Sequence, residues 1–131
     1  MVGFILVTSC TAVIAADTPE PTSVTIPGSL QLSQGCPHNW QPACTNTYLE
    51  FLEPENIWKG TFDLPAGSYE YKAALNNSWD ENYGANGNRN GSNLALTVDV
   101  DSSLNFYYDH QSNWVTDSQT SRIAIAAGSF Q

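Results

Sequence analysis

A chain of 131 residues is long enough for one domain with a real hydrophobic core. Its 4 lysines and arginines against 13 aspartates and glutamates give a formal charge of −9, which argues against nucleic acid and anionic membrane surfaces as partners, since both are held through Lys and Arg. Only 13% of the residues are charged, and the polar remainder is mostly Asn, Ser, Thr and Gly, a surface suited to extracellular life and neutral polar ligands.

The N-terminal stretch, residues 1–16, is apolar from Val2 to Ala16 and too short to span a bilayer. It reads as the core of a secretory signal cut after Ala15 or Ala16, truncated at its start because the basic n-region is missing. Val7-Thr8-Ser9-Cys10 also resembles a bacterial lipoprotein box that would lipidate Cys10; otherwise Cys10 is one more residue of the apolar run. Residues 17–22, with Pro19 and Pro21, read as an extended acidic linker. Ser23–Ile26 is a first strand, ended by Pro27-Gly28.

Cys36 and Cys44 follow in Gly-Cys-Pro-His-Asn-Trp-Gln-Pro-Ala-Cys. There is no Cys-x-x-Cys and no His at zinc spacing, so a metal site is a poor reading. A disulfide is favoured over two free thiols; it implies an oxidising compartment and stabilises by about 2–3 kcal/mol. Thr47–Leu52 is a second strand, with Leu49 and Phe51 on one face.

The stretch from Trp58 to Trp79 reads as strand, turn, strand, turn. Trp58, Gly60 and Phe62 alternate with Lys59, Thr61 and Asp63; Leu64-Pro65-Ala66-Gly67 turns the chain; Tyr69, Tyr71, Ala73 and Leu75 alternate with Glu70, Lys72 and Ala74. The expectation is a hairpin at the centre of a sheet, with Lys72 outward and Trp79 carried on the Asn-rich turn. Residues 80–93 have loop composition. Asn86, Asn88, Asn90 and Gly91 mimic a calcium loop, but carboxylates are missing and Thr97 stands at the twelfth position, so the run reads as a Gly/Asn turn. Strands are then expected at Leu94–Val98, Leu104–Asp109, Asn113–Val115 and Arg122–Ala126. About seven short strands with no helical period predict an all-β, immunoglobulin-like antiparallel β-sandwich.

Ile26-Pro27-Gly28-Ser29-Leu30-Gln31 and Ala126-Ala127-Gly128-Ser129-Phe130-Gln131 align at an offset of 100 residues. One module over 23–126 and the start of a second repeat at 127–131 are expected; a natural C-terminus with a chance match is the alternative.

No catalytic signature is present: there is no Gly-x-Ser-x-Gly, His-Glu-x-x-His or phosphate loop, and the adjacent Asp80 and Glu81 would face opposite ways on a strand. Neither a cofactor nor catalysis by this module is expected. Binding remains. Of 4 tryptophans, Trp58 sits on an alternating strand and reads as core, whereas Trp40 and Trp79 lie in loops where their rings either meet a sugar face or cap the core.

Val24-Thr25-Ile26-Pro27-Gly28-Ser29-Leu30, Asn39-Trp40, Leu64-Pro65-Ala66-Gly67-Ser68-Tyr69-Glu70-Tyr71-Lys72 and Asn77-Ser78-Trp79 together resemble the starch- and glycogen-binding modules of E-set type, a group that includes the glycogen-binding domain of AMP-activated kinase. The cysteine loop, Ser78-Trp79-Asp80-Glu81-Asn82-Tyr83-Gly84, Phe106-Tyr107-Tyr108-Asp109-His110 and Ser121-Arg122-Ile123-Ala124 are more similar still to the X25 modules of bacterial pullulanases and amylopullulanases, over residues 23–131. In the glycogen-binding relatives two tryptophans cradle the glucan while a lysine and an asparagine bond its hydroxyls. The resemblance assigns these roles to Trp40, Trp79, Lys72 and Asn93. The insertion that carries the disulfide departs from those relatives and puts the place of Trp40 in question.

The resemblance therefore implies a non-catalytic, α-glucan-binding accessory module of a secreted starch-debranching enzyme, joined in one chain to a catalytic domain and further repeats. Two alternatives stand beside it: a spacer or docking module without sugar affinity, and a glycan-binding protein anchored at the bacterial cell surface through Cys10.

Overall fold

A computed structural model describes residues 18–121. The signal-like segment with Cys10, the expected strand at 122–126 and the start of the second repeat lie outside them. Among the described residues no helix is long and apolar enough to cross a membrane.

The described residues form nine short strands with three 3-10 turns. These are β1 (Val24–Thr25), β2 (Glu50–Leu52), β3 (Ile57–Leu64), β4 (Gly67–Tyr71), β5 (Ala73–Leu75), β6 (Asn82–Tyr83), β7 (Leu94–Val98), β8 (Ser102–Asp109) and β9 (Trp114–Asp117). All pairings between strands are antiparallel. One layer is the four-stranded sheet β2-β3-β8-β9. The other is made of β1-β5-β6 and the pair β4-β7, which meet at Lys72, the single residue between β4 and β5. The architecture is the expected β-sandwich.

Alternation sets the two inner faces. Trp58, Phe62 and Leu64 of β3 and Leu104, Phe106 and Tyr108 of β8 are buried from one side. Tyr71, Leu75, Leu96 and Val98 are buried from the other. The Tyr71 ring meets Phe106 edge-on at 5.0 Å between centroids, the favoured aromatic geometry across the layers. Trp58 is 8% exposed and is core, as expected.

One expectation is corrected. The strands flanking Pro65-Ala66 do not form a hairpin: β3 pairs with β2 and β8, whereas β4 pairs with β7. Both strands present apolar residues to the same core, but from opposite layers, so the Pro65-Ala66 turn is a crossover between sheets. The first two strands are also shorter than expected, because Thr45–Thr47 forms a 3-10 turn and Pro27-Gly28 ends β1 early.

Candidate functional site

The outward face of β4 and β7 is polar. In the pairing register Ser68 stands opposite Thr97 and Glu70 opposite Ala95, while Tyr69, Tyr71, Leu96 and Val98 point inward. Two loops rise at the end of this face near Lys72, and each carries a tryptophan.

Trp40 comes from the loop closed by the Cys36–Cys44 disulfide. Gln31 is fully buried beneath this loop. Its amide nitrogen donates to Gln41 O at 2.9 Å and Thr47 Oγ1 at 3.0 Å, and its oxygen accepts from Gln41 N–H at 2.7 Å. On the other side of Trp40, Asn39 Oδ1 accepts from Leu32 N–H at 2.8 Å. Trp40 itself has φ 61°, a left-handed conformation that bulky residues rarely adopt and that costs about 1–3 kcal/mol. Its N–H donates to Gly28 O at 3.3 Å, seating the loop on the edge of the β4 layer. A Cβ at Gly28 would lie 2.3 Å from Glu70 O, so only glycine permits this approach.

Trp79 is carried by the turn after β5. Asn76 and Asn77 adopt φ of 58° and 63°, which asparagine tolerates better than most residues. The far side of the turn is fixed by Asn82 Nδ2, which donates to Trp79 O at 2.9 Å. The ring is 39% exposed. It meets Trp40 with centroids 6.5 Å apart and planes 35° from parallel. The two indoles that the resemblance singled out therefore converge, with Trp40 carried on the disulfide-closed loop.

Lys72, expected to point outward, is partly buried. Its N–H donates to Pro27 O at 3.0 Å and its Nζ to Gly91 O at 2.6 Å. Burial of the ammonium lowers its pKa from the ordinary value. The Gly91 bond occupies one of three donors, so the group can still give protons to a ligand. Asn93 Nδ2 donates to Glu70 Oε1 at 2.9 Å, which leaves the amide oxygen as the end free to accept from a hydroxyl. Lys72 and Asn93 thus meet the same long loop and the same strand, and Pro27-Gly28 links Lys72 to Trp40.

Sequence reasoning missed Gln31, Gly28 and Glu70. Gln31 was visible as part of the Gly-Ser-hydrophobe-Gln repeat, where nothing marked it as a buried support. Among the described residues no three His, Cys, Asp or Glu side chains gather as metal ligands would.

The profile of the family described as the pullulanase X25 domain matches residues 23–115. The chain is similar to the amylopullulanase of Thermoanaerobacterium thermosulfurigenes, 39% identical over 82 residues, which is 63% of this chain and 4% of that protein. It is 36% identical to the amylopullulanase of Thermoanaerobacter thermohydrosulfuricus over 95 residues, 72% of this chain and 6% of the relative. The pullulanase from Bacillus acidopullulyticus has a similar structure, with a TM-score of 0.68 and 33% identity over 80% of this chain and 12% of that one. The chain thus spans only a small fraction of the length of these enzymes. With the profile running from before β1 into β9, and the fold and cysteine loop described above, this chain belongs to the pullulanase X25 domain family.

Proposed function

We propose that the module binds α-glucan, such as starch, pullulan or glycogen, and is a non-catalytic accessory part of a secreted pullulanase- or amylopullulanase-type enzyme. The observation that carries this reading is the convergence of Trp40 and Trp79, with ring centroids 6.5 Å apart. Two tilted indoles make a shallow apolar platform that fits the face of a pyranose, and the flanking ammonium and amide oxygen meet its hydroxyls. Stacking supplies most of the affinity, while Lys72 and Asn93 orient the sugar. A single open site of this kind binds weakly, because the costs of association offset a modest buried area. Tandem copies in one chain would compensate through effective concentration.

The disulfide supports an oxidising, extracellular location. The family's small share of each relative supports a catalytic domain elsewhere in the same chain. Electrophoresis through gels containing amylopectin tests the binding reading: the native chain is retarded, and folded Trp40→Ala and Trp79→Ala migrate as they do without polysaccharide. Unretarded migration of the folded native chain would overturn it.

One observation favours a spacer or docking role as the second reading. Trp114 is 48% exposed on β9, in the layer opposite the tryptophan pair, as a docking contact would require.

A further inference from the structure

We propose that the glucan site continues past Trp40 into a groove on the outward face of β4 and β7, so that the module grips a run of several glucosyl units. This rests on the α-glucan reading above.

The groove has a volume of about 340 Å³, at the small end of the range of ligand sites. Trp40 forms one wall, so a single ring belongs both to the pair with Trp79 and to the groove. Ala95 keeps the floor low, because its methyl is all that rises between Glu70 and the neighbouring outward positions of β7. Ser29, Ser68 and Thr97 supply hydroxyls along the groove, and Glu70 supplies a carboxylate. That carboxylate is aimed: Asn93 Nδ2 holds Oε1, and the Glu70 backbone N–H donates to Ser29 Oγ at 2.9 Å. Its other oxygen is directed to solvent as a strong acceptor for a ligand hydroxyl.

The chemistry selects an uncharged polyol. Among the described residues no Lys or Arg lines the groove, and a carboxylate within a chain of formal charge −9 repels phosphates and acidic polysaccharides. An aromatic wall, hydroxyls and one acceptor suit a neutral sugar chain. A glucan stacked on the tryptophan pair can extend over Trp40 onto Glu70, Ala95, Ser68 and Thr97 without turning a corner, since these side chains share one sheet face. Specificity would follow from length: a short oligosaccharide fills the platform alone, and a longer one fills both.

The test is an NMR titration of the full chain, following the indole N–H signals with maltotriose and with maltoheptaose. The native chain binds maltoheptaose at least about tenfold more tightly than maltotriose, as one or two added hydrogen bonds require. Ala95→Arg places a guanidinium directly opposite Glu70 and fills the groove. Thr97→Arg blocks the far end from an exposed position. In both variants the preference collapses to the few-fold advantage that a longer chain gains from offering several registers, while maltotriose binding stays unchanged. Two folded variants that keep the full native preference would overturn the groove and leave the tryptophan platform standing. A native chain whose indole signals respond to neither sugar would overturn both.

Discussion

Gln31 lies beneath the loop that carries Trp40 and supports the proposed platform without being part of it. Its buried amide satisfies the backbone on the C-terminal side of Trp40, and the conformation of Trp40 is one that an unsupported loop would leave. Gln31→Leu keeps most of the volume but strands Gln41 N–H and Gln41 O away from their partner. The expected cost is about 1–3 kcal/mol, read as a lower urea midpoint, together with weaker retention in amylopectin gels although every sugar-facing side chain remains. Native retention in this variant would show that the disulfide alone positions Trp40. The four candidate residues, Trp40, Lys72, Trp79 and Asn93, were named in the sequence through family resemblance, and of these the structure brings the Trp40 and Trp79 rings together. Composition and periodicity alone left the two loop tryptophans undecided between sugar platform and core cap. Gln31 was not legible, because a buried polar side chain looks in sequence like any loop glutamine until its partners are known.

At the scale of elements, the turn that carries Trp79 is held by the chain entering the module. Residues 18–22, expected as an extended linker, lie against that turn: Thr22 N–H donates to Asn76 Oδ1 at 2.8 Å, and Asn76 N–H to Ser23 O at 2.9 Å. Thr18 Oγ1 donates to Glu81 Oε2 at 2.5 Å, and Tyr83 OH donates to the same oxygen at 2.6 Å. His110 Nε2 lies 3.0 Å from Thr18 O, which can only accept, so Nε2 carries the proton and Nδ1 accepts from Tyr108 OH at 2.8 Å. Burial alone would raise the Glu81 pKa, but the hydrogen bonds from Thr18 and Tyr83, followed by the charge of Arg89, bring it below the ordinary 4.5. Tyr83 is pushed up to about 12, first by burial and then by its bond to Glu81. The two signs differ. A depressed carboxyl stabilises above its unfolded value, and that contribution fades as the pH falls from 4.5 through the lower folded value. A raised phenol stabilises below its unfolded value of 10.0, and that contribution fades as the pH rises from there to about 12. Melting temperatures should therefore show a plateau with an acid limb and an alkaline limb; Glu81→Gln should reduce the acid limb and lessen the alkaline limb only in part, since burial still raises Tyr83. An acid limb as steep in Glu81→Gln as in the native chain would assign it to other carboxylates. Strand existence was legible here and pairing was not. Alternation identified β3, β4, β7 and β8, but Leu64-Pro65-Ala66-Gly67 has the composition of a hairpin turn, and only the burial of both strands against one core shows that it changes layers.

Across the whole molecule, the core contacts and the proposed glucan face lie on opposite faces of one strand. Glu70 points outward, with Lys72 just past the strand end, while Tyr71 between them crosses the core. The Tyr71 hydroxyl donates to Asp117 Oδ2 at 2.7 Å, and Asp117 also accepts from Gln119 N–H, Thr120 N–H and Thr120 Oγ1. Asp117 ends β9 in the opposite sheet, so this buried bond and the Phe106 contact tie the layer that carries the proposed site to the other layer. Burial, and then the Asp117 charge, push the Tyr71 pKa up, which keeps the hydroxyl protonated as a donor. Tyr71→Phe retains the ring against Phe106 and removes one donor from a fully buried carboxylate. The expected loss is about 1–3 kcal/mol, seen as a lower urea midpoint at unchanged slope. Glucan binding by the folded fraction should stay close to native, because no sugar-facing atom has changed. Trp79→Ala should give the opposite pair of results, native stability with binding lost, since its ring is partly exposed and rests on Trp40. If Tyr71→Phe weakened binding as much as Trp79→Ala while its urea midpoint stayed native, the inner and outer faces of β4 would not be independent, and the sandwich would be part of the recognition surface instead of its support.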